Sequence, residues 1–459
     1  MTADVPKAPP QDCYLVEGGH PLTGTLVPSG SKNAALPILA ATLLTESEVV
    51  LHNVPRIRDV DAMLLLLESA GVEIVRDPVS GSVEQGPRTL RLRAGDVRPD
   101  RLDLALCKAI RASILLAGPM LARFDRLTLP PPGGDVIGRR RLDTHFLALE
   151  RMGAEIALED GQSGNYRFRC DRLEGACFQL DEPSVTGTEN ALMAATVAWG
   201  DTVIYNAACE PNVQDLAAML SSMGARIEGA GTNRITVHGT GGKLLGGCEH
   251  RIAPDHIEIG SFIGLAACCG GEVRITDVPE SVLGPIMSGR GLSTFGIDVR
   301  RTGPGDGDIV VPAGLDLQVR SDRGGAIPEV YDHPWPGFSP DLTSTAVVVA
   351  TQSGGTCLVH EKMFEARLFF VDKLVAMGAR IVLCDPHRVV ISGPSRLTGT
   401  EVTSPDIRAG MALLTAALCA GGTSLIRNVH QIERGYESLV QRLSALGARV
   451  TAGPSLPIS

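Results

Sequence analysis

The 459-residue sequence is poor in aromatic residues and lacks the hallmarks of several protein classes. Aromatic side chains make up 4% of it, so smaller apolar residues must fill most of the core. No apolar run approaches the roughly 18 residues that a membrane-spanning helix needs. Residues 1–11 contain three prolines and no apolar stretch typical of a secretion signal. We therefore expect a cytoplasmic protein that does not bind membranes.

Cysteine, motif and charge patterns exclude further classes. The eleven cysteines are scattered, with no CxxC pair and no Cys/His spacing of a zinc site, which argues against a disulfide framework. Neither a Walker-type Gly-Lys-Ser/Thr motif nor a GxGxxG sequence before a helix is present, so we expect no metal, no cofactor and no nucleoside triphosphate. The formal net charge of -10 argues against nucleic-acid binding.

The chain is long enough for two domains, and one pattern recurs in it six times. Each copy has a leucine, three residues, a glycine, two residues and a β-branched residue, which is typical of a helix end, a left-handed glycine and a new strand. The glycines are Gly71, Gly153, Gly224, Gly296, Gly378 and Gly447. Gly71 and Gly296 are 225 residues apart, as are Gly153 and Gly378. The chain is therefore predicted to contain two halves of three units each.

Upstream of these glycines lie helices of small apolar residues, such as those starting near Asn33, Asn190 and Ala409. They are apolar on nearly all sides, so they should be buried, with sheets around them. Charged or polar residues stand at the six predicted helix starts: Ser31–Asn33, Arg111, Thr188–Asn190, Glu258, Asp341, and Asp406 with Arg408. Acidic residues, serine and threonine suit N-caps, but cations oppose the helix dipole. We interpret these starts as binding a multiply charged anion in a cleft between two domains.

Several stretches together resemble the enolpyruvyl transferases. They are GGHPLTGTLVPSGSKNAALPILAATLL from Gly18, KAIRASILLAGPMLARF around Arg111, PPGGDVIGRRRLDTH from Pro131, PSVTGTENALMAA from Pro183, GFSPD ending at Asp341, EARLFF, SPDIRAG and ERGYE. The resemblance covers nearly the whole chain, in order. It implies an α/β fold of two inside-out α/β domains, each of three repeated units, as in EPSP synthase. The expected domains are residues 1–31 plus 252–459, with an N-terminal strand over about 13–27, and residues 32–251, with a lid loop at about 130–141.

The resemblance also implies the reaction and the site. The family transfers enolpyruvyl from phosphoenolpyruvate to a hydroxyl, and the chain is expected to use the 3-hydroxyl of UDP-N-acetylglucosamine and to act as a monomer in peptidoglycan synthesis. The implied catalytic residues are Asp135, Asp341, Lys32 and Arg434. The implied substrate-binding residues are Lys32, Asn33, Arg111, Arg140, Arg141, Leu142, Asp143, Thr144, Ser184, Val185, Thr186, Asp341, Met363, Arg367, Arg408 and Arg434. Arginine suits the phosphate and carboxylate of the donor, because its planar fork binds oxygens in pairs.

Asp135 is the main departure from the family pattern, which usually has a cysteine here that protonates C3 of the donor. The aspartate predicts resistance to fosfomycin, an epoxide that alkylates the cysteine, because a carboxylate is a poorer nucleophile than a thiolate. Arg141 and Thr186 replace the usual proline and glycine. Alternatives that stay open are another uridine nucleotide as acceptor and a silent sugar-nucleotide-binding paralogue. The shikimate-pathway transferase typically has a serine where this chain has Asn33, and the histidine motif of the architecturally related RNA 3'-phosphate cyclases is not found in the sequence.

Overall fold

The computed structural model describes residues 12–76, 88–133, 141–159, 164–303 and 307–453. The chain divides into two compact units. Unit 1 consists of the described residues within Met1–Pro28, Ile257–His333 and Gly337–Ser459, and unit 2 of those within Ser29–His256 and Pro334–Pro336. In the described ranges, no helix is both long enough and apolar enough to cross a membrane.

The strands and helices are short and alternate along the chain. The strands are β1 Cys13–Glu17, β2 Gly24–Leu26, β3 Val49–Val54, β4 Glu73–Arg76, β5 Arg88–Arg93, β6 Arg126–Leu129, β7 Glu155–Leu158, β8 Tyr166–Arg169, β9 Cys177–Gln179, β10 Asp201–Tyr205, β11 Arg226–Glu228, β12 Arg234–His238, β13 Cys248–Arg251, β14 Val273–Val278, β15 Arg300–Arg301, β16 Gly307–Val311, β17 Glu329–Tyr331, β18 Gly355–His360, β19 Ile381–Asp385, β20 Arg388–Gly393, β21 Glu401–Thr403, β22 Thr423–Arg427 and β23 Arg449–Gly453. The α-helices are α1 Lys32–Ala41, α2 Arg58–Ala70, α3 Leu104–Ala109, α4 Ala117–Arg123, α5 Asp143–Arg151, α6 Val185–Val197, α7 Pro211–Ser222, α8 His256–Cys269, α9 Glu280–Ile286, α10 Thr343–Gln352, α11 Val371–Ala376, α12 Ile407–Cys419 and α13 Leu439–Ala445. Short 3-10 helices cover Thr42–Leu44, Pro99–Arg101, Arg111–Leu116, Leu292–Phe295, Arg323–Gly325, Pro340–Leu342 and Val429–Arg434.

Each unit contains three small sheets among its described residues. Those of unit 1 have the strand orders β2-β14-β16-β15, β17-β18-β20-β19 and β21-β22-β1-β23. Those of unit 2 have the orders β13-β3-β5-β4, β6-β8-β7 and β9-β10-β12-β11. In every four-stranded sheet the first pair is parallel and the remaining pairs are antiparallel. The α/β class and the three repeated units in each half are thereby confirmed.

The expectation of one N-terminal strand over about 13–27 is wrong. β1 is a central strand of one sheet, antiparallel to β22 and β23, whereas β2 lies at the edge of another sheet, parallel to β14. Between them, Gly18 approaches the main chain so closely that an added Cβ would lie 2.3 Å from the Ala417 carbonyl oxygen. The backbone leaves the first sheet there, so residues 12–28 supply strands to two repeats of unit 1.

The six repeated glycines adopt the predicted left-handed conformation, with φ between 79° and 106°. In five of the six repeats, the residue after the glycine donates its N–H to the carbonyl of the repeated leucine, as Val72 does to Leu67 at 3.0 Å. This bond closes the helix end and turns the chain into the next strand. At Gly71, an added Cβ would also lie 2.3 Å from the Asp96 carbonyl oxygen, so both conformation and space require glycine.

The innermost helices are buried on all sides, as the sequence predicts. They are α1, α4 and α6 in unit 2 and α8, α10 and α12 in unit 1, with hardly an exposed residue. Small residues allow the close packing: a Cβ on Gly118 of α4 would lie 2.5 Å from the carbonyl oxygen of Asn190 on α6. The helix start predicted at Thr188–Asn190 is wrong, because α6 begins at Val185 with Ser184 as its N-cap. Thr188–Asn190 therefore belongs to the second turn.

Candidate functional site

In unit 1, the Asp341 carboxylate lies at the start of the segment that leads into the buried helix α10. Pro340 begins a 3-10 turn, which suits its fixed φ, and Ser339 is the N-cap, accepting a hydrogen bond from the Asp341 N–H at 3.3 Å. The sequence left open that Asp341 is itself only a cap. Since Ser339 has this role, the Asp341 carboxylate is available for other partners.

Two arginines hold this carboxylate. Arg367 donates from Nη2 to Oδ1 at 2.5 Å, and Arg408 donates to Oδ2 from Nε at 3.1 Å and Nη2 at 2.9 Å. The arginine side chains are 6% and 8% exposed, but that of Asp341 is 21% exposed, so the carboxylate is the most accessible of the three groups. The two guanidinium groups share this one carboxylate. Charge-assisted bonds of this kind orient the carboxylate.

The two arginines reach Asp341 from different elements. Arg408 is in the first turn of α12, where the Asp406 carboxylate caps the helix by accepting from the Arg408 and Ala409 N–H groups at 2.8 Å and 2.9 Å. This cap offsets the unfavourable position of a cation at a helix start. The Arg408 guanidinium also lies 5.6 Å from the ring centre of Tyr436. Arg367 lies 4.7 Å from the ring centre of Phe364, so aromatic contacts help to orient both groups.

The other residues predicted on unit 1 have different surroundings. Arg434 ends the 3-10 helix Val429–Arg434 and donates from Nη1 to the Gln431 side-chain oxygen at 3.0 Å. Met363 has a partly exposed side chain, and its N–H donates to Asp332 at 3.1 Å. Glu258, in the first turn of α8, is buried and forms a salt bridge with Arg442, so its charge is used within unit 1.

In unit 2, Lys32 is the first residue of α1, after the N-cap Ser31. Its Nζ lies 2.7 Å from Asp59 Oδ2, with both side chains 10% exposed. Its N–H donates to Asp255 at 3.1 Å. These acidic neighbours offset a cation at the positive end of a helix. Asn33, the next residue, is the one partly exposed position of this helix.

A second group in unit 2 contains the residues predicted to hold the uridine end. Arg111 donates from Nη2 to the Arg141 carbonyl at 3.0 Å. Arg141 pairs with Asp143 at the start of α5, and this hydrogen bond lowers the pKa of Asp143. The adjacent Leu142 side chain is buried. Thr144, on the same turn, donates to Asp181 at 2.6 Å.

The start of α6 lies against α5, where Ser184 accepts from the Gly187 N–H at 3.2 Å. Val185 follows the cap, and Thr186 Oγ1 lies 3.1 Å from Nε2 of the buried His145. The segments Leu142–Thr144 and Ser184–Thr186 are thus brought together, although about forty residues separate them in the sequence.

The Thr186 hydroxyl is oriented by a buried network. Asn190 accepts from the Gly118 N–H at 2.6 Å and donates to the Ile114 carbonyl at 2.9 Å, which fixes its amide, and it donates to His145 Nδ1 at 3.1 Å. Nδ1 is therefore an acceptor and Nε2–H donates to Thr186. Burial, together with the positive charge of Arg111, lowers the pKa of His145 to about 3, so the ring is neutral.

Comparison of the sequence with known proteins shows the family of the chain. Residues 16–443 match the family described as EPSP synthase (3-phosphoshikimate 1-carboxyvinyltransferase). The chain belongs to this family of enolpyruvyl transferases. It is 54% identical over 441 residues to the UDP-N-acetylglucosamine 1-carboxyvinyltransferase of Bradyrhizobium diazoefficiens, covering 96% of this chain and 98% of the relative. It is 52% identical over 438 residues to the same-named protein of Treponema denticola, covering 95% and 98%.

A solved structure has the same fold. The enolpyruvyl transferase NikO from Streptomyces tendae superposes with a TM-score of 0.82 at 24% identity, covering 97% of this chain and 100% of that one. The enolpyruvyl transferase resemblance read from the motifs is confirmed by these comparisons.

Two of the predicted site residues, Asp135 and Arg140, lie outside the described residues.

Three buried residues beside the predicted transferase site were not singled out from the sequence. Asp59 looks like an ordinary acidic residue in the first turn of α2. His145 is the last residue of the motif PPGGDVIGRRRLDTH, and only its partners show that it orients Thr186. Glu361 follows β18 and is fully buried. Local sequence gives no signal for Asp59 or His145, because their partners Lys32 and Thr186 are distant in the chain, and Glu361 is distinguished only by its burial.

Proposed function

We propose that the chain is a UDP-N-acetylglucosamine 1-carboxyvinyltransferase, which transfers enolpyruvyl from phosphoenolpyruvate to the 3-hydroxyl of UDP-N-acetylglucosamine and releases phosphate. The names and near full-length identity of the two relatives support this activity. It is the step that commits the sugar nucleotide to peptidoglycan synthesis. We further propose that the protein acts as a monomer in the cytoplasm, where the nucleotide sugar is made.

The observation that carries the proposed chemistry is the Asp341 carboxylate, held by Arg367 and Arg408 and still partly accessible. In the addition step the sugar oxygen bonds to C2 of the donor while C3 gains a proton. In the elimination step the C2–phosphate oxygen bond breaks and C3 loses a proton. The attacking hydroxyl must transfer its proton, and a fixed carboxylate is suited to accept it. We assign this role to Asp341 and that of the C3 acid to Asp135.

The remaining predicted residues are assigned to binding. Phosphoenolpyruvate carries a phosphate and a carboxylate, for which we propose a set of cations: Lys32, Arg111, Arg140, Arg367, Arg408 and Arg434. In unit 1, the two guanidinium groups that share the Asp341 carboxylate support this assignment. For the uridine end we propose Arg141, Leu142, Asp143, Thr144, Ser184, Val185 and Thr186. Asn33 and Met363 are proposed to contact substrate beside these groups.

The test is phosphate release from phosphoenolpyruvate with UDP-N-acetylglucosamine, shikimate 3-phosphate or uridine monophosphate as the acceptor. We expect release only with UDP-N-acetylglucosamine. Release only with another acceptor would reassign the substrate, and release with none would favour a silent paralogue. Asp341→Asn should lower kcat by about 1,000-fold or more, because the neutral amide cannot accept the hydroxyl proton.

A matched control is Asp385→Asn, which also removes the charge of an arginine-paired aspartate in unit 1, here paired with Arg388 at 2.6 Å. It should leave kcat within about twofold of the wild type, since an exposed ion pair contributes little. Circular dichroism would confirm that both variants are folded. Turnover of Asp341→Asn close to that of the control would contradict the assigned role.

A further inference from the structure

Several buried polar side chains lie close to Glu361: Asp332, Thr343 and Arg367. Glu361 is fully buried, and neither of its carboxyl oxygens has a hydrogen-bond partner among the described residues. The same holds, within those residues, for Nε of Arg367 and Oγ1 of Thr343. Buried polar atoms without partners are rare and usually costly, so four of them near one functional arginine call for an explanation.

Strand register places a second carboxyl group beside Glu361. β17 and β18 are parallel, with Tyr331 opposite His360, so the residues that follow, Asp332 and Glu361, leave the sheet side by side. Both are fully buried. The Asp332 carboxylate accepts from the Lys362 N–H and, at 3.1 Å, from the Met363 N–H. Asp332 thus has two main-chain donors, whereas no main-chain N–H of the described residues contacts the Glu361 carboxyl group.

Two adjacent buried carboxyl groups cannot both be ionised without strong repulsion. Because Asp332 has the N–H donors, Glu361 is the one that keeps a proton. Burial raises the pKa of Glu361 to about 9, and the Asp332 charge raises it as well, while Arg367 opposes this effect. His387 also contacts Glu361, because its Nδ1 lies 2.9 Å from the Glu361 main-chain oxygen. A neutral Glu361 is therefore the form expected at neutral pH.

The charge of Glu361 affects Arg367, which bonds Asp341 and is proposed to bind phosphoenolpyruvate. Arg367 directs Nη2 to Asp341, its Nε has no hydrogen-bond partner among the described residues, and its positive charge acts on the Glu361 carboxyl group. An ionised Glu361 would compete with Asp341 and with an incoming anion for this one guanidinium. We propose that Glu361 is a positioning residue for Arg367, whose uncharged form keeps the guanidinium on Asp341 and available to phosphoenolpyruvate. This inference rests on the proposed function.

The test compares the pH dependence of the KM for phosphoenolpyruvate, at saturating UDP-N-acetylglucosamine, in the wild type and in Glu361→Gln. In the wild type the KM should rise about tenfold per pH unit above pH 9, as Glu361 ionises. Glutamine is a neutral isostere, so the variant should match the wild type within about threefold at pH 7.5 and lack that rise. A fall in kcat at alkaline pH caused by deprotonation of Asp135 would remain in both proteins, so it does not obscure the effect on the KM.

Two further variants complete the experiment. Glu365→Gln removes an exposed carboxylate from the same segment and should retain the wild-type rise in KM. Asp332→Asn removes the neighbouring charge, so Glu361 should ionise more easily and the rise should begin at lower pH. The same rise in Glu361→Gln as in the wild type would overturn the inference. Should that variant not fold, an unshifted rise in Asp332→Asn would overturn it instead. A wild type that releases no phosphate at pH 7.5 would refute the proposed function itself.

Discussion

The two units repeat one fold but place different charges at the starts of their buried helices. In unit 1, the side chains of Arg367 and Arg408 share one carboxylate, Asp341, and the Arg408 N–H is capped by Asp406. In unit 2, Lys32 is matched by Asp59 at 2.7 Å, and its N–H by Asp255. The fold supplies the same kind of helix end in both units, whereas a few side chains decide whether that end attracts an anion. This difference makes the unit 1 group the stronger candidate for holding the donor.

The largest expected effect in this comparison concerns Asp135, which the sequence assigns as the C3 acid. Asp135→Ala should reduce product formation by about 1,000-fold or more, because no other group would protonate C3. Asp135→Cys should keep activity and become sensitive to fosfomycin, since a thiolate attacks the epoxide far better than a carboxylate. Intact mass after incubation with fosfomycin and UDP-N-acetylglucosamine would check this. A one-to-one adduct on the wild-type chain would show that Asp135 does not take the place of the cysteine.

A smaller effect is expected from removing one arginine of unit 1. Arg408→Ala should raise the KM for phosphoenolpyruvate by about 100-fold and that for UDP-N-acetylglucosamine by less than about fivefold, because a bidentate charged partner is lost. Arg434→Ala should likewise raise the KM for phosphoenolpyruvate far more than the KM for UDP-N-acetylglucosamine. Steady-state kinetics with each substrate varied would measure both.

A variant of unit 2 should show the opposite preference between the two substrates. Thr186→Val removes the hydroxyl that His145 orients, and it should raise the KM for the sugar nucleotide without changing that for phosphoenolpyruvate. Equal losses for both substrates in Arg408→Ala would mean that this arginine supports the fold of unit 1, and its assignment to phosphoenolpyruvate would then be wrong.

The smallest effect is on stability. The pKa of Glu361 is raised from 4.5 to about 9, so the folded protein keeps a proton that the unfolded chain releases. The stability from this proton is complete below about pH 4.5 and is lost as the pH rises through 9. The free energy of unfolding of Glu361→Gln should therefore exceed that of the wild type by up to about 3 kcal/mol at pH 7. At pH 4 the two proteins should have similar free energies of unfolding. Urea denaturation at both pH values would measure it, and a difference independent of pH would contradict the raised pKa.

Much of the fold could be predicted from the sequence, because its determinants are local. The repeated leucine and glycine lie within one helix end, and a left-handed residue there needs glycine whatever surrounds it. Helices such as α6 and α12, rich in alanine and other apolar residues with few charged ones, are predicted to be buried. The strand expected over 13–27 failed because its two parts pair with β22 and β14, and neither partner is near in the sequence.

The candidate site was predictable as a set of residue types but not as an arrangement. Motifs identified Asp341, Arg367 and Arg408, yet their mutual contacts join residues 26 and 67 positions apart. The identity of the cap, Ser339 rather than Asp341, and the pairing of Asp332 with Glu361 emerged only from the structure. Sequence by itself determines backbone conformations and which segments must be buried, since these depend on neighbours along the chain. Tertiary structure decides which charges meet and which proton is kept, because the energies of buried charges depend on distance and on exclusion of water.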